Sequence, residues 1–441
     1  MNAHQTDSTS PLNFTSRRDF LKTSAAAGAA LAAPALLGSK VFAAENSDTL
    51  RVGLIGCGGR GTGAAGQALH ADKNAVLVAM ADVFPEQIEK SLQSLQKDTE
   101  IAGRVKVTPE KRFVGLDAYQ KLIDSGVDVV LQASPPGFRP VHTRAAVAAG
   151  KHQFVEKPIA TDTAGVRMVL ESVKIAAEKK LAWVAGFCWR YETARREFYK
   201  RIHDGAIGDI RAIYATYYAG PVKPMAPASE RPAGMSDVEW QLRNWYNFVW
   251  LCGDGYVEQA VHSVDKVMWA MKDQPPLKAV ANGGRQIPNH EGNIFDHLNV
   301  AYEWEGGVRV FLGQRQISGC FSQNSDFLMG ATGQGIIDGW SSVYIKGPEQ
   351  WKFRGQSNTM YQQEHDELFA SIRSGKPIND GAWEAQTTLV AIMGRMAAYT
   401  GQEVTWEMMQ NSQERLVSEK LEWKMALPIA PMAAPGRTKF V

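Results

Sequence analysis

A chain of 441 residues is too long for one hydrophobic core and long enough for two domains. Its 44% hydrophobic and 21% charged residues are ordinary for a soluble globular protein. With 48 basic against 46 acidic residues it lacks the basic excess of a nucleic-acid partner, and no nucleic acid is expected.

The amino end is set aside before any fold reasoning. Arg17 and Arg18, within the run from Ser16 to Lys22, stand directly before a mild apolar stretch from Ala25 to Leu37. Val41, Phe42 and Ala43 follow, with the small residues a signal peptidase accepts. This arrangement resembles a bacterial twin-arginine export signal over residues 1–43. The resemblance implies a periplasmic or otherwise exported protein that crosses already folded, as cofactor-bearing proteins using that route often do. The apolar stretch is too short and too rich in alanine and glycine for a convincing transmembrane helix, so no stable membrane insertion is expected. Without its four basic and two acidic residues, the chain holds 44 of each sign. Cys57, Cys188, Cys252 and Cys320 are scattered without metal-ligand spacing and form no disulfide scaffold; no metal is expected.

Leu50 to Ile55 is an apolar run closed by glycines, as in a buried parallel strand. Residues 75–82, 127–134, 154–156 and 181–187 repeat that character, with helix-like stretches between them at Pro85–Lys97 and Pro140–Ala149. The alternation predicts an α/β, doubly wound parallel sheet over residues 49–187. From about Ile210 the pattern changes. Strands at 210–218 and 277–286 lack crossover helices, and residues 298–304 and 308–312 alternate about a Glu305-Gly306-Gly307 turn. An open, mostly antiparallel sheet within an α+β substrate and oligomerisation domain is expected over residues 188–426. Helices are expected at Glu364–Ser374 and Trp383–Thr400, stopped by Gly375 and Gly401, and an extended arm at 427–441.

Gly56, Gly58 and Gly61, with Cys57, Gly59 and Arg60 between them, fit a G-x-G-x-x-G turn. The turn follows a strand, opens a helix at Thr62–Leu69 and precedes a strand ending at Asp82. Gly56 allows the tight turn, Gly58 the approach of a pyrophosphate, and Gly61 the packing of helix on strand. Asp82 lies 21 residues past Gly61, where a carboxylate accepts from ribose hydroxyls and repels a 2′-phosphate. NAD is therefore expected over NADP, with Arg60 as the residue that could accommodate the extra phosphate.

Glu156-Lys157-Pro158 follows an apolar strand, and the proline keeps Lys157 out of helical geometry at the strand's carboxyl end. Later, Val257, Val261, Val264 and Met268 form an apolar helical stripe, with Glu258, His262 and Asp265 on a second stripe turned by one residue. Alone, that second stripe also suits a plain amphipathic helix. The glycine loop, the Glu-Lys-Pro tripeptide and the segment from Val257 to Asp265 together resemble the Gfo/Idh/MocA oxidoreductases over most of the chain beyond residue 50. The resemblance implies that Lys157 and His262 act at a reacting hydroxyl, with Glu156 and Lys157 also against the cofactor. It places Glu258, where many members carry Asp, in substrate binding or proton relay. It also implies a homo-oligomer built through the second sheet.

Arg190, Tyr191 and Asp265 are candidate contacts for a carbohydrate substrate, as are Trp245 and Trp250. An exported enzyme meets little free NAD, so the cofactor is expected to stay bound and be recycled within each turnover. The expected activity is oxidoreduction of a hydroxyl on a sugar, polyol or glycoside. The alternative is an NAD-dependent glycosidase, whose relatives carry Tyr-x-x-His after the glycine turn; here Tyr256 is followed by Gln259 instead. A non-catalytic cofactor-binding protein is a third class, disfavoured by the presence of both Lys157 and His262.

Overall fold

The computed structural model describes residues 48–441 except 289, 341 and 419, so the expected export signal lies outside the described residues. Strands β1 (Leu50–Ile55), β2 (Ala75–Asp82), β3 (Arg112–Val114), β4 (Val129–Gln132), β5 (His152–Val155) and β6 (Trp183–Ala185) form one sheet in the order β3-β2-β1-β4-β5-β6. All its pairings are parallel. Helices α1 (Gly59–Ala71), α2 (Pro85–Leu95), α3 (Ala118–Asp124), α4 (Arg139–Ala148) and α5 (Thr163–Glu178) connect successive strands. The strand runs are apolar because helices cover the sheet; every residue of β4 is buried. Small residues let α1 lie close to it, with Gly61, Ala64, Ala65 and Ala68 on its buried face. The strand order reverses about β1 and β4, which opens a crevice at their carboxyl ends. Gly56, Asp82, Ser134 and Lys157 all fall at that edge.

A second sheet contains β7 (Ile210–Ala219), β8 (Lys278–Gly284), β9 (His297–Glu303), β10 (Arg309–Gln316), β11 (Ser325–Gly330), β12 (Gln334–Asp338), β13 (Ser342–Lys346), β14 (Trp351–Lys352) and β15 (Val404–Thr405). Its order is β14-β13-β12-β11-β7-β10-β9-β8-β15. Only β7 and β10 pair in parallel; the remaining pairs are antiparallel. The expected turn joins β9 to β10, with Gly306 and Gly307 at φ +72° and +80°. Inward residues Ile213, Leu298, Val300, Val310 and Leu312 pack with residues of the helices Val261–Ala270 and Gly381–Thr400. The other face leaves Tyr214, Val280 and Phe311 exposed.

Helix α6 (Thr193–His203) leads into this sheet, and α7 (Asp237–Arg243) lies in a long connection after β7. The remaining helices used below are α8 (Val261–Ala270), α9 (Met360–Arg373) and α10 (Gly381–Thr400). Gly401 closes α10 at φ +70°, the stop the sequence predicts. Residues 412–441 contain neither helix nor strand among those described, so the armlike tail begins well before Leu427. The four cysteines are unpaired, three of them buried.

Candidate active site

The glycine turn is built as its spacing requires. Gly56 sits at φ +87°, where a side chain would run into the backbone of Ala133 and Ser134. A Cβ on Gly61 would lie 1.9 Å from the Gly56 carbonyl oxygen. Gly58 and Gly59 differ: a Cβ on either meets nothing within 4 Å, so the backbone there faces open space. Hydrogen bonding within α1 begins with Thr62 N–H to the Gly58 carbonyl (2.9 Å), leaving the preceding N–H groups at the helix amino end for an anion.

Asp82 stands beside this turn. Its carboxylate accepts from the N–H groups of Cys57 (2.7 Å) and Phe84 (3.0 Å), and burial raises its pKa. The turn, Asp82 and Ser134 border a cavity of about 330 Å³ that extends to Lys223 and Trp245. An open glycine backbone, a helix amino end and a carboxylate along one cavity fit the diphosphate and ribose of a dinucleotide.

Arg60 points to the other side of the sheet's midline. Its Nε donates to Glu156 Oε1 (2.5 Å) and its Nη2 to Gln67 (2.8 Å), while the guanidinium lies over Tyr361 at 4.7 Å. Glu364, fully buried on α9, is 3.6 Å from the same guanidinium. Burial and the nearby Glu156 carboxylate hold the Glu364 pKa well above the ordinary range. Arg60 and Glu156 are therefore joined near β5, three strands away from the Asp82 edge.

At the end of β5 the chain turns through Lys157, which is buried. Its Nζ donates to the Glu258 carbonyl at 2.6 Å and to Glu258 Oε1 at 3.2 Å. The sequence predicts an ordinary helix through Glu258; the structure has a π-helical segment, Tyr256–Ala260, before α8 begins. Two contacts account for the local distortion. Lys157 draws on the Glu258 carbonyl, and Asp254 anchors the start at φ +92°. Asp254 is fully buried and accepts from Tyr256 N–H, Phe295 N–H and the Tyr399 hydroxyl at 2.9, 2.9 and 2.6 Å.

A polar chain runs on from Glu258. Its Oε2 accepts from Gln259 Nε2 (2.6 Å), and Gln259 Oε1 accepts from the Tyr217 hydroxyl on β7 (2.7 Å). His262 follows on the first turn of α8, buried, with Nδ1 unpartnered. Burial, reinforced by the charges of Lys157, Lys266 and Arg60, keeps its pKa well below the usual imidazole value. The imidazole is thus neutral and able to accept a proton.

The remaining sequence candidates are engaged elsewhere. Asp265 is fully buried and accepts from Arg190 Nε at 2.8 Å. Arg190 also binds Asp273 at 2.6 Å and lies 3.7 Å from the centre of the Trp383 ring. Burial, opposed by Arg190, pushes the Asp265 pKa up to about 6. Tyr191 donates its hydroxyl to Asp380 at 3.0 Å. These contacts tie α8 and the end of β6 to α10. Trp245 lines the cavity, whereas Trp250 donates its indole N–H to Gln241 (2.7 Å) and meets Phe138 edge-on. Sequence reasoning missed Lys223, Asp254, Gln259 and Tyr217. Of these only Asp254, between two glycines ahead of α8, had a readable signal.

The family described as "Oxidoreductase family, NAD-binding Rossmann fold" matches residues 50–187, the span of the first sheet. The match falls on the cofactor-binding domain that the glycine turn implies and covers less than half of the chain. Residues 15–34 match the twin-arginine translocation signal sequence, in agreement with the reading of the amino end. The chain is 24% identical over 353 residues to an inositol 2-dehydrogenase of Acidothermus cellulolyticus, covering 78% of this chain and 90% of that protein. It is 27% identical over 263 residues to the inositol 2-dehydrogenase of Acidiphilium cryptum, covering 59% of this chain and 66% of that protein, just short of two thirds. Among solved structures, the aldose-aldose oxidoreductase of Caulobacter crescentus superposes with a TM-score of 0.64 at 18% identity. That match covers 81% of this chain and 99% of the other, and confirms the fold. No helix among the described residues is long and apolar enough to cross a membrane.

Proposed function

We propose that this protein is an exported oxidoreductase that acts on a secondary hydroxyl of a sugar, polyol or glycoside, with NAD as the preferred cofactor. The observation that carries this reading is the Lys157–Glu258 pair at the sheet edge that also bears the glycine turn, with His262 one helical turn beyond Glu258 and within the field of the Lys157 charge. When bound, the nicotinamide supplies a hydride acceptor or donor. The protein's part is to handle the hydroxyl proton and the growing charge on oxygen. Neutral His262 accepts the proton. Lys157 donates a hydrogen bond to the oxygen and stabilises it as it becomes a carbonyl. Glu258 holds the Lys157 ammonium, and Gln259 and Tyr217 fix the Glu258 carboxylate in turn.

Asp82 favours a free ribose 2′-hydroxyl over a 2′-phosphate, and Arg60 supports the same preference because Glu156 and Gln67 already engage it. The glycosidase alternative gains nothing from Tyr256. Its hydroxyl lies 3.0 Å from that of Tyr302 within the core, fully buried.

The export signal supports periplasmic placement. Scarcity of free NAD outside the cytoplasm supports a cofactor that stays bound and is recycled by a second substrate. The exposed Tyr214, Val280 and Phe311 on the second sheet support assembly with another copy through that face. The catalytic assignment is tested with Lys157→Met and His262→Ala. Each is expected to lower kcat by roughly 10²- to 10⁴-fold while dinucleotide remains bound. Undiminished turnover in either variant removes that residue from the chemistry.

A further inference from the structure

The connection between β7 and the π-helical turn does not stay with the second sheet. It reaches the cofactor edge, where Val238, Leu242, Phe248 and Leu251 pack with Phe84 of the glycine-turn side. Arg243, on α7, lies 4.0 Å from the centre of the Phe84 ring and pairs with Glu86 at 2.8 Å on α2.

The tail then covers this connection. Leu427 N–H donates to Asp237 (3.0 Å), Gln241 Nε2 donates to the Leu427 carbonyl (2.7 Å), and Trp423 meets Phe84 edge-on at 5.9 Å. Upstream, Glu414 pairs with fully buried Arg395, and Leu416 N–H donates to Asp162 at 2.6 Å. The tail is therefore fastened at both ends of its path over this connection, which roofs the cavity with Leu242, Arg243 and Trp245.

Inside that roof, Lys223 lines the cavity with its ammonium 5.3 Å from the centre of the Trp245 ring. Its own carbonyl accepts from Asn247 Nδ2 at 3.1 Å, which fixes the backbone. The carboxylates that act on its charge are Glu258 and Asp82, one at each end of the site, and among the described residues no ion pair engages it. A dinucleotide running from Asp82 to Lys157 places its diphosphate between those ends.

We propose that this connection and the tail form a clamp on the bound cofactor, with Lys223 as its ligand to the diphosphate. The inference rests on the retained-cofactor reading above and gives it a physical cause. Release of the dinucleotide requires the roof to lift, and the roof is held by contacts between segments nearly 200 residues apart.

The test uses the full exported chain and its Lys223→Met and Trp423→Ala variants. NADH release is followed by stopped-flow fluorescence, and ADP and adenosine binding by calorimetry. Lys223→Met is expected to speed NADH release and weaken ADP by roughly 10- to 100-fold while leaving adenosine unchanged. Trp423→Ala is expected to speed release without changing the ratio of ADP to adenosine affinity. Equal release from wild type and Lys223→Met, or equal losses of ADP and adenosine, overturns the assignment even if Trp423→Ala does not fold. If wild type loses its cofactor on dialysis while Lys223→Met still weakens ADP alone, the retention reading fails and the Lys223 assignment stands.

Discussion

The two sheets place their chemistry in different parts of themselves. The parallel sheet is covered by helices, and the groups it presents to a ligand lie at the carboxyl ends of its strands: the Gly58 backbone, Asp82, Ser134 and Lys157. The mixed sheet works through its faces. Its inner face supplies Tyr217 beside Gln259, and its outer face exposes an apolar patch. Parallel strands need helical crossovers that cover them, so only their ends remain for ligands. Antiparallel strands turn back directly and leave a face free for a partner.

The largest effect that sharpens this contrast belongs to the parallel edge. Gly61→Ala forces a Cβ into the Gly56 carbonyl, and is expected to cost about 3 kcal/mol or more of stability together with dinucleotide binding. Gly58→Ala, a few residues away, meets nothing in the protein itself. It should keep its thermal midpoint and lose NADH affinity by roughly 10-fold or more, since only the ligand approaches that position. Thermal melts with NADH titrations separate the two, and equal behaviour in both variants breaks the comparison. A smaller effect is expected on the mixed sheet. Phe311→Asp should leave the monomer fold and its melting temperature nearly unchanged while reducing the mass of the proposed assembly to that of a monomer, measured by light scattering. An unchanged mass removes that face from the assembly.

The same contrast explains what could be read from the sequence. Gly56, Gly58, Gly61 and Asp82 lie within one strand-turn-helix-strand unit, where local geometry dictates residue type. The proline after Lys157 placed that residue at a strand end, and helical spacing put Glu258 and His262 on one stripe; the family resemblance alone implied their roles. The π-helical turn was not legible, and the lysine that bonds its Glu258 carbonyl is 101 residues away. The Asp265 carboxylate is buried against Arg190, which comes from the end of the other sheet, a partner that helical spacing does not reveal. Strands β11 to β14 carried too little alternation to be anticipated. The roof was not legible at all. Lys223 has no motif about it, and the tail's hold on Asp237 and Gln241 joins segments that share no period.

Hydride exchange with a sugar-like hydroxyl is read directly from absorbance in the reduced-nicotinamide band. Purified folded protein, with NAD supplied, is mixed in turn with sugars, polyols and glycosides. If hydride exchange is the reaction, at least one class raises that band in wild type and leaves it flat in Lys157→Met. Release of an aglycone with no change in the band, or failure of the protein to bind any dinucleotide, contradicts it.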